Sequence, residues 1–275
     1  MRDPLQAFLS HLRLAGRSEA TLRGYRADLN RWIACREAAG SDAEAARAYL
    51  DGAAPATVAR RHSSLAAYWR WLGQQGAGAG SCPTLAYDRP RVELALPRAI
   101  PEPDMIAIQR AIRGLPPSWR GLFTLILDTA LRVGEVTRLH VRDLDWSPGN
   151  EHVRVLGKGG RWRVVPLLPA MDSRRLVRRL SRDRPGEAFL FPGRRGALTV
   201  RAVEWRFAQL QRQVALREGY RVHDLRHTTA THLINRGVEL VAIQRLLGHR
   251  SIQTTQRYAV LGDAEYRRAL EQGMR

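Results

Sequence analysis

Between residues 74 and 100 the chain drops the helical spacing of apolar residues that marks everything before it. GQQGAGAGSCP is rich in glycine, and YDRPRVELALPRAIPEPD carries prolines at 90, 97, 101 and 103. Glycine leaves the backbone nearly free, closely spaced prolines stiffen it in an extended form, and neither continues a helix. Such a break requires each side to bury its own core, and 275 residues suffice for two ordinary domains. The expected organisation is a helical domain over 1–75, a linker over 76–100 and a larger domain over 101–275 that includes a C-terminal tail.

Ahead of the break, residues 4–14, 18–38, 42–51 and 56–75 repeat apolar side chains at i, i+3, i+4, with Gly16, Gly40 and DGAAP between them. Ser18, and Thr57 after Pro55, are the expected helix starts, and Gly40 and Gly76 the expected stops. Beyond the break, helical patterns cover 102–113, 117–130, 169–182, 198–217, 223–235, 239–247 and 251–258. HVRVL and RWRVVPL instead alternate β-branched with basic or polar residues on either side of GKGG, which predicts a β-hairpin with Lys158 at its tip. The fold expected is mainly α with a small antiparallel β-sheet: a four-helix domain followed by a larger helical one.

Charge narrows the partner class. The chain carries 45 basic against 26 acidic residues, a net charge of +19. Up to residue 100 there are 14 basic and 9 acidic residues (+5), and after it 31 and 17 (+14). A genome rich in G and C explains arginine over lysine but not this excess of bases, which is the footprint of a protein that sits on phosphate backbones. No uncharged apolar run approaches the ~18 residues needed to span a bilayer. The first residues lack the apolar core and cleavage site of a signal peptide, so a cytoplasmic, membrane-free protein is expected. Cys35 and Cys82 stand far apart in no metal or redox spacing.

Forty-four of the 45 bases are arginine, and the exception is Lys158. Five features beyond the break carry residue types suited to chemistry: ALRVGE with Arg132 and Glu135, Lys158 itself, HDLRH with His223, Arg226 and His227, LLGH with His249, and TTQRY with Tyr258. Taken singly, each has a plain structural reading. Arg132 and Glu135 make a salt bridge at a helix start, His223 and Arg226 share a polar helix face, and His249 follows a helix-ending glycine. HDLRHTTATH does not suit a zinc helix, because no glutamate follows its first histidine. No glycine-flanked serine elbow points to a hydrolase.

Taken in order, Arg132, Lys158, His223, Arg226, His249 and Tyr258 resemble the active-site set of the tyrosine recombinase family, the phage integrases and Xer-type resolvases. DTALRVGEVTRL, GKGGRWRVVPL, HDLRHTTATHLINRG and VAIQRLLGHRSIQTTQRYAVL are similar to that family's boxes over residues 102–262. The front domain resembles, more loosely, the family's four-helix (SAM-like) core-binding domain. Two departures stand out: Ala130 replaces a common glycine, and Thr229 a frequent aromatic. The resemblance implies site-specific exchange of DNA strands through a 3′-phosphotyrosyl intermediate and a Holliday junction. It also implies a homo- or hetero-tetramer on two sites of double-stranded DNA, with a second recombinase or a translocase as a further partner, and no metal, ATP or other cofactor. A type IB topoisomerase-like relaxing enzyme shares the cleavage chemistry and is the alternative.

The residue types suit that chemistry on physical grounds. Tyr258 is the nucleophile, since a phenol of pKa ~10 forms an ester that a sugar hydroxyl readily reverses. Arg132 and Arg226 supply planar forks for the phosphate oxygens, His249 a further hydrogen bond, and His223 proton handling near neutral pH. Glu135 is expected to orient these bases. Lys158 does what arginine does badly: an ammonium of pKa ~10.4, lowered beside other cations, protonates the leaving 5′ oxygen, whereas a guanidinium above ~12 holds its proton. Arg23, Arg26, Arg60, Arg61, Arg161 and Arg163 are the expected DNA contacts.

Overall fold

The computed structural model describes residues 3–76, 80–91, 99–157, 160–216 and 219–248. Lys158, His249, Tyr258, the helix expected over 251–258 and the tail lie outside them. The chain divides into two compact units, residues 1–95 and 96–275.

The first unit holds four helices, α1 (Pro4–Leu14), α2 (Glu19–Ala38), α3 (Asp42–Leu50) and α4 (Pro55–Gln74). Ser18 caps α2 by accepting from the Thr21 N–H at 3.2 Å, as its residue type predicts. At α3 Ser41 accepts from the Glu44 N–H at 3.2 Å, and Glu44 reaches back to the Gly40 N–H at 2.9 Å. Thr57 does not start α4. That helix begins at Pro55, whose fixed φ suits a first turn and whose missing N–H has no helical partner to lose. The apolar stripes meet in a core of Phe8, Leu29, Trp32, Tyr49, Leu65 and Tyr68. Edge-on aromatic pairs such as Trp32 on Tyr49, 5.7 Å between ring centres, fix how the helices seat.

Part of the expected linker belongs to this unit. Pro83–Ala86 forms a single 3-10 turn, Cys82 is buried in the core, and the Tyr87 hydroxyl donates to the Ala43 carbonyl at 3.1 Å. In the described part, 80–91, glycine and proline interrupt the helices without leaving the core, because irregular backbone also packs.

In the second unit α6 (Pro117–Thr129) runs through the core, packed on α5 (Glu102–Arg113), α8 (Asp172–Ser181) and α10 (Val222–Asn235). Gly121 lets α8 approach: a methyl there would lie 2.6 Å from Leu180 Cδ1. A short α7 (Val133–Val136) follows α6, then a sheet in the order β1 (Leu144–Asp145), β2 (His152–Leu156), β3 (Trp162–Pro166), all antiparallel. Val153 pairs with Val165 and Val155 with Arg163, so these four side chains share the inward face, while Leu156, Trp162 and Val164 are exposed. A two-residue pair, β4 (Pro192–Gly193) with β5 (Gly196–Ala197), precedes α9 (Val200–Gln213), and α11 (Leu240–Leu247) closes the described part. The architecture is mainly α with small antiparallel sheets, as the sequence predicts. Among the described residues no helix is long and apolar enough to cross a membrane.

Candidate active site

The site grows from the end of α6. Ala130 closes that helix in the left-handed conformation, φ 52° and ψ 28°, with its N–H on the Ile126 carbonyl at 2.8 Å. An alanine there costs about 1–2 kcal/mol against glycine, and its fully buried methyl, packed with Ala230, Ile243 and Leu247, offsets part of this. The sharp turn sends Arg132 out at the start of α7 and leaves the Ala130 carbonyl facing α10. Arg226 of α10, only 1% exposed, donates to that carbonyl at 2.5 Å and to the Leu247 carbonyl at 2.6 Å. Thr229, one turn on, ties α10 to α6 by donating to the Leu127 carbonyl at 2.7 Å, where an aromatic would have packed instead.

Glu135 is the anionic centre. It is 5% exposed and receives the Arg132 N–H at 2.9 Å, the Arg132 guanidinium at 3.0 Å and both Arg163 NH groups at 2.8 Å. Burial pushes its carboxyl up, but the Arg163 fork and the Arg132 contacts win and hold the pKa at about 2, against an ordinary 4.5. The folded protein therefore binds fewer protons than the unfolded chain between these values. The stabilisation is complete above pH 4.5 and is lost as pH falls toward 2, in all on the order of 3 kcal/mol. Denaturant midpoints measured from pH 6 to pH 3 are expected to fall more steeply for the natural protein than for Glu135→Gln. Parallel slopes would contradict the assignment.

His223 lies one turn before Arg226 on α10, its ring 4.4 Å from that of His227, centre to centre and edge-on. One side of the side chain is open to solvent. Burial of the other, then the positive charges of Arg226 and Arg132, hold its pKa below the ordinary 6.5, so the ring is neutral at pH 7. Arg132 itself has a side chain 34% exposed.

Of the residues singled out from sequence, the fold thus gathers Arg132, Glu135, His223 and Arg226. It also brings the neighbours of two others there. Gly157 precedes Lys158, and Gly248, which ends α11 with φ 64°, precedes His249. Among the expected DNA contacts, Arg23, Arg26 and Arg161 are exposed. Arg60 is joined to the buried Asp28, which also accepts from the Ser64 hydroxyl at 2.7 Å. Arg61 donates to the Tyr49 carbonyl at 2.7 Å. Arg163 stands apart from these: its side chain is 13% exposed and its NH groups are engaged on Glu135. The signal was available in the strand period, since residue 163 has the parity of the buried Val165. Among the described residues no three His, Cys, Asp or Glu side chains group as metal ligands.

The half-exposed Arg132 guanidinium and the His223 imidazole, with the Arg226 cation buried behind them and a buried carboxylate beside them, suit an anionic group approaching from solvent. Comparison with known proteins places the chain in a family. The phage integrase family matches residues 104–265. The tyrosine recombinase XerC of Chromobacterium violaceum is 32% identical, aligned over 95% of this chain and 91% of its own length. That of Mycobacterium bovis is 34% identical over 97% of each. A crystal structure of the XerH site-specific recombinase on its palindromic difH substrate superposes with a TM-score of 0.74 at 20% identity, covering 98% of this chain and 84% of that one. A lambda integrase tetramer on a Holliday junction gives 0.70 at 20%, covering 90% and 76%. The chain belongs to the phage integrase family, the tyrosine recombinases.

Proposed function

We propose that this protein is a site-specific recombinase that cuts and rejoins duplex DNA through a 3′-phosphotyrosyl intermediate, with Arg132, Lys158, His223, Arg226, His249 and Tyr258 as its catalytic residues. The observation that carries the reading is the convergence of Arg132, Glu135, His223 and Arg226 at the turn where α6 ends. Arg132 and Arg226 hold the non-bridging oxygens of the phosphate, where charge builds as the fifth bond to phosphorus forms. The Tyr258 oxygen attacks phosphorus, the bond to the 5′ oxygen breaks, and Lys158 gives that oxygen its proton. The phenolic proton passes to His223, neutral in the free protein. Because the ester keeps the bond energy, an incoming 5′ hydroxyl reverses the sequence on a second strand without ATP or metal. His249 adds a hydrogen bond to the phosphate.

In this reading residues 101–275 form the catalytic domain and residues 1–75 the core-binding domain, whose exposed Arg23 and Arg26 contact the DNA backbone. Double-stranded DNA is the substrate, and a homo- or hetero-tetramer on two sites, with a partner recombinase or a translocase, is the working assembly. Residues 263–275 dock on a neighbouring protomer. Recombinase relatives along nearly the whole chain favour this over a topoisomerase-like relaxing enzyme. Incubating the protein with two labelled duplexes drawn from its genomic binding sites is expected to give recombinant strands and four-way junctions. Relaxation of supercoiled plasmid without site preference, and no recombinant strands, would favour the topoisomerase reading.

A further inference from the structure

We propose that Arg163 is a positioning residue that holds Arg132 in place together with the backbone at Gly157 and Gly248, the residues that precede Lys158 and His249. The inference rests on the catalytic reading above. Arg163 projects from the inward face of β3, opposite Val155, and its guanidinium joins parts of the site far apart in sequence. Both NH groups grip Glu135 at 2.8 Å, and Glu135 in turn grips Arg132. Its Nε donates to the Leu246 carbonyl at 3.3 Å, next to the Leu247 carbonyl that Arg226 holds. Two glycines lie close to it. A methyl on Gly157 would lie 3.4 Å from Arg163 Nη1 and 4.0 Å from Glu135 Oε1. A methyl on Gly248 would lie 3.1 Å from Arg163 Cδ and Nε and 3.2 Å from Cζ. The residues after these glycines are Lys158 and His249. One planar cation therefore fixes where the hairpin tip, the end of α11 and the phosphate-facing arginine begin.

Lysine cannot replace it. A point charge cannot grip both carboxylate oxygens along a plane while a third N–H reaches the Leu246 carbonyl. A plain structural role makes a different prediction, because well-packed apolar residues commonly replace a buried ion pair without loss of stability.

The test follows covalent adduct formation by the full chain on a nicked duplex at saturating protein, beside DNA affinity and melting temperature. Arg163→Lys and Arg163→Met are expected to bind DNA within a few-fold of the natural protein and to form adduct on the order of 10²-fold more slowly, the effect of a misplacement of about 1 Å. The double variant Arg163→Met with Glu135→Leu keeps the fold if the singles do not, and is expected to stay as slow. A duplex with sulfur at the 5′ bridging position separates the roles, since a thiolate leaves without a proton. It should restore Lys158→Arg fully and Arg163→Met only in part, Arg132 still being displaced. Natural rates in Arg163→Met or in the double variant, loss of affinity alone, or full restoration by sulfur would each overturn the proposal. A Lys158→Arg variant that sulfur fails to restore would instead remove the general-acid assignment, which the Arg163 rates on ordinary DNA do not depend on.

Discussion

Arg226→Lys is expected to lower strand cleavage by about 10²–10³-fold and to weaken the fold at the same time. Among the described residues Arg226 is the largest of the fully buried side chains, and it holds the Ala130 and Leu247 carbonyls at 2.5 and 2.6 Å. Lysine keeps the charge but reaches one carbonyl at best. A buried carbonyl left without a donor costs roughly 1–3 kcal/mol. With the loss of fit added, about 3 kcal/mol is expected, which for a unit of this size lowers the melting temperature by roughly 6–12 °C. The turn at Ala130 and the end of α11 lose a common anchor, so Arg132 loses its placement along with the phosphate fork. The check is a pair of measurements on one preparation, a thermal melt and the single-turnover cleavage rate well below the melting point. Cleavage at the natural rate in a destabilised variant would make Arg226 purely structural. Lost cleavage without a change in melting temperature would mean that the two carbonyl bonds contribute nothing to the fold.

The same residues show what the sequence could and could not reveal. Long helices were legible because each carries several turns of apolar repeat and an identifiable start or stop, as α2 does between Ser18 and Gly40. The hairpin was legible from β-branched alternation around GKGG. Short elements were not: α7 is one turn and β1 two residues, too brief for any period, and Ala130 breaks α6 with a residue that ordinarily continues a helix. The proposed catalytic set could be assembled from sequence because its residue types and order are unusual together. The support beneath it was harder to read. An arginine in a basic chain looks like a DNA contact, and only the inward parity of residue 163 separates it from Arg161, two residues earlier and exposed. Which carbonyls Arg226 holds depends on three elements meeting, α6, α10 and α11, which no local pattern encodes.

The largest effect expected of any substitution is that of Tyr258→Phe. Arginines, histidine and lysine lower the barrier for a nucleophile, and without the phenolic oxygen there is no bond to phosphorus to form. Because phenylalanine keeps the ring, DNA binding and melting temperature should be unchanged, which separates lost chemistry from lost structure. A duplex nicked near the cut site supplies the readout: cleavage frees a short fragment, the leaving 5′ hydroxyl is lost, and the intermediate accumulates. The natural protein should give a band that survives boiling in detergent and, after proteolysis, a peptide containing Tyr258 on the 3′ phosphate of the DNA, and Tyr258→Phe should give none. An adduct that persists in Tyr258→Phe, or one carried on the 5′ end, would contradict the account.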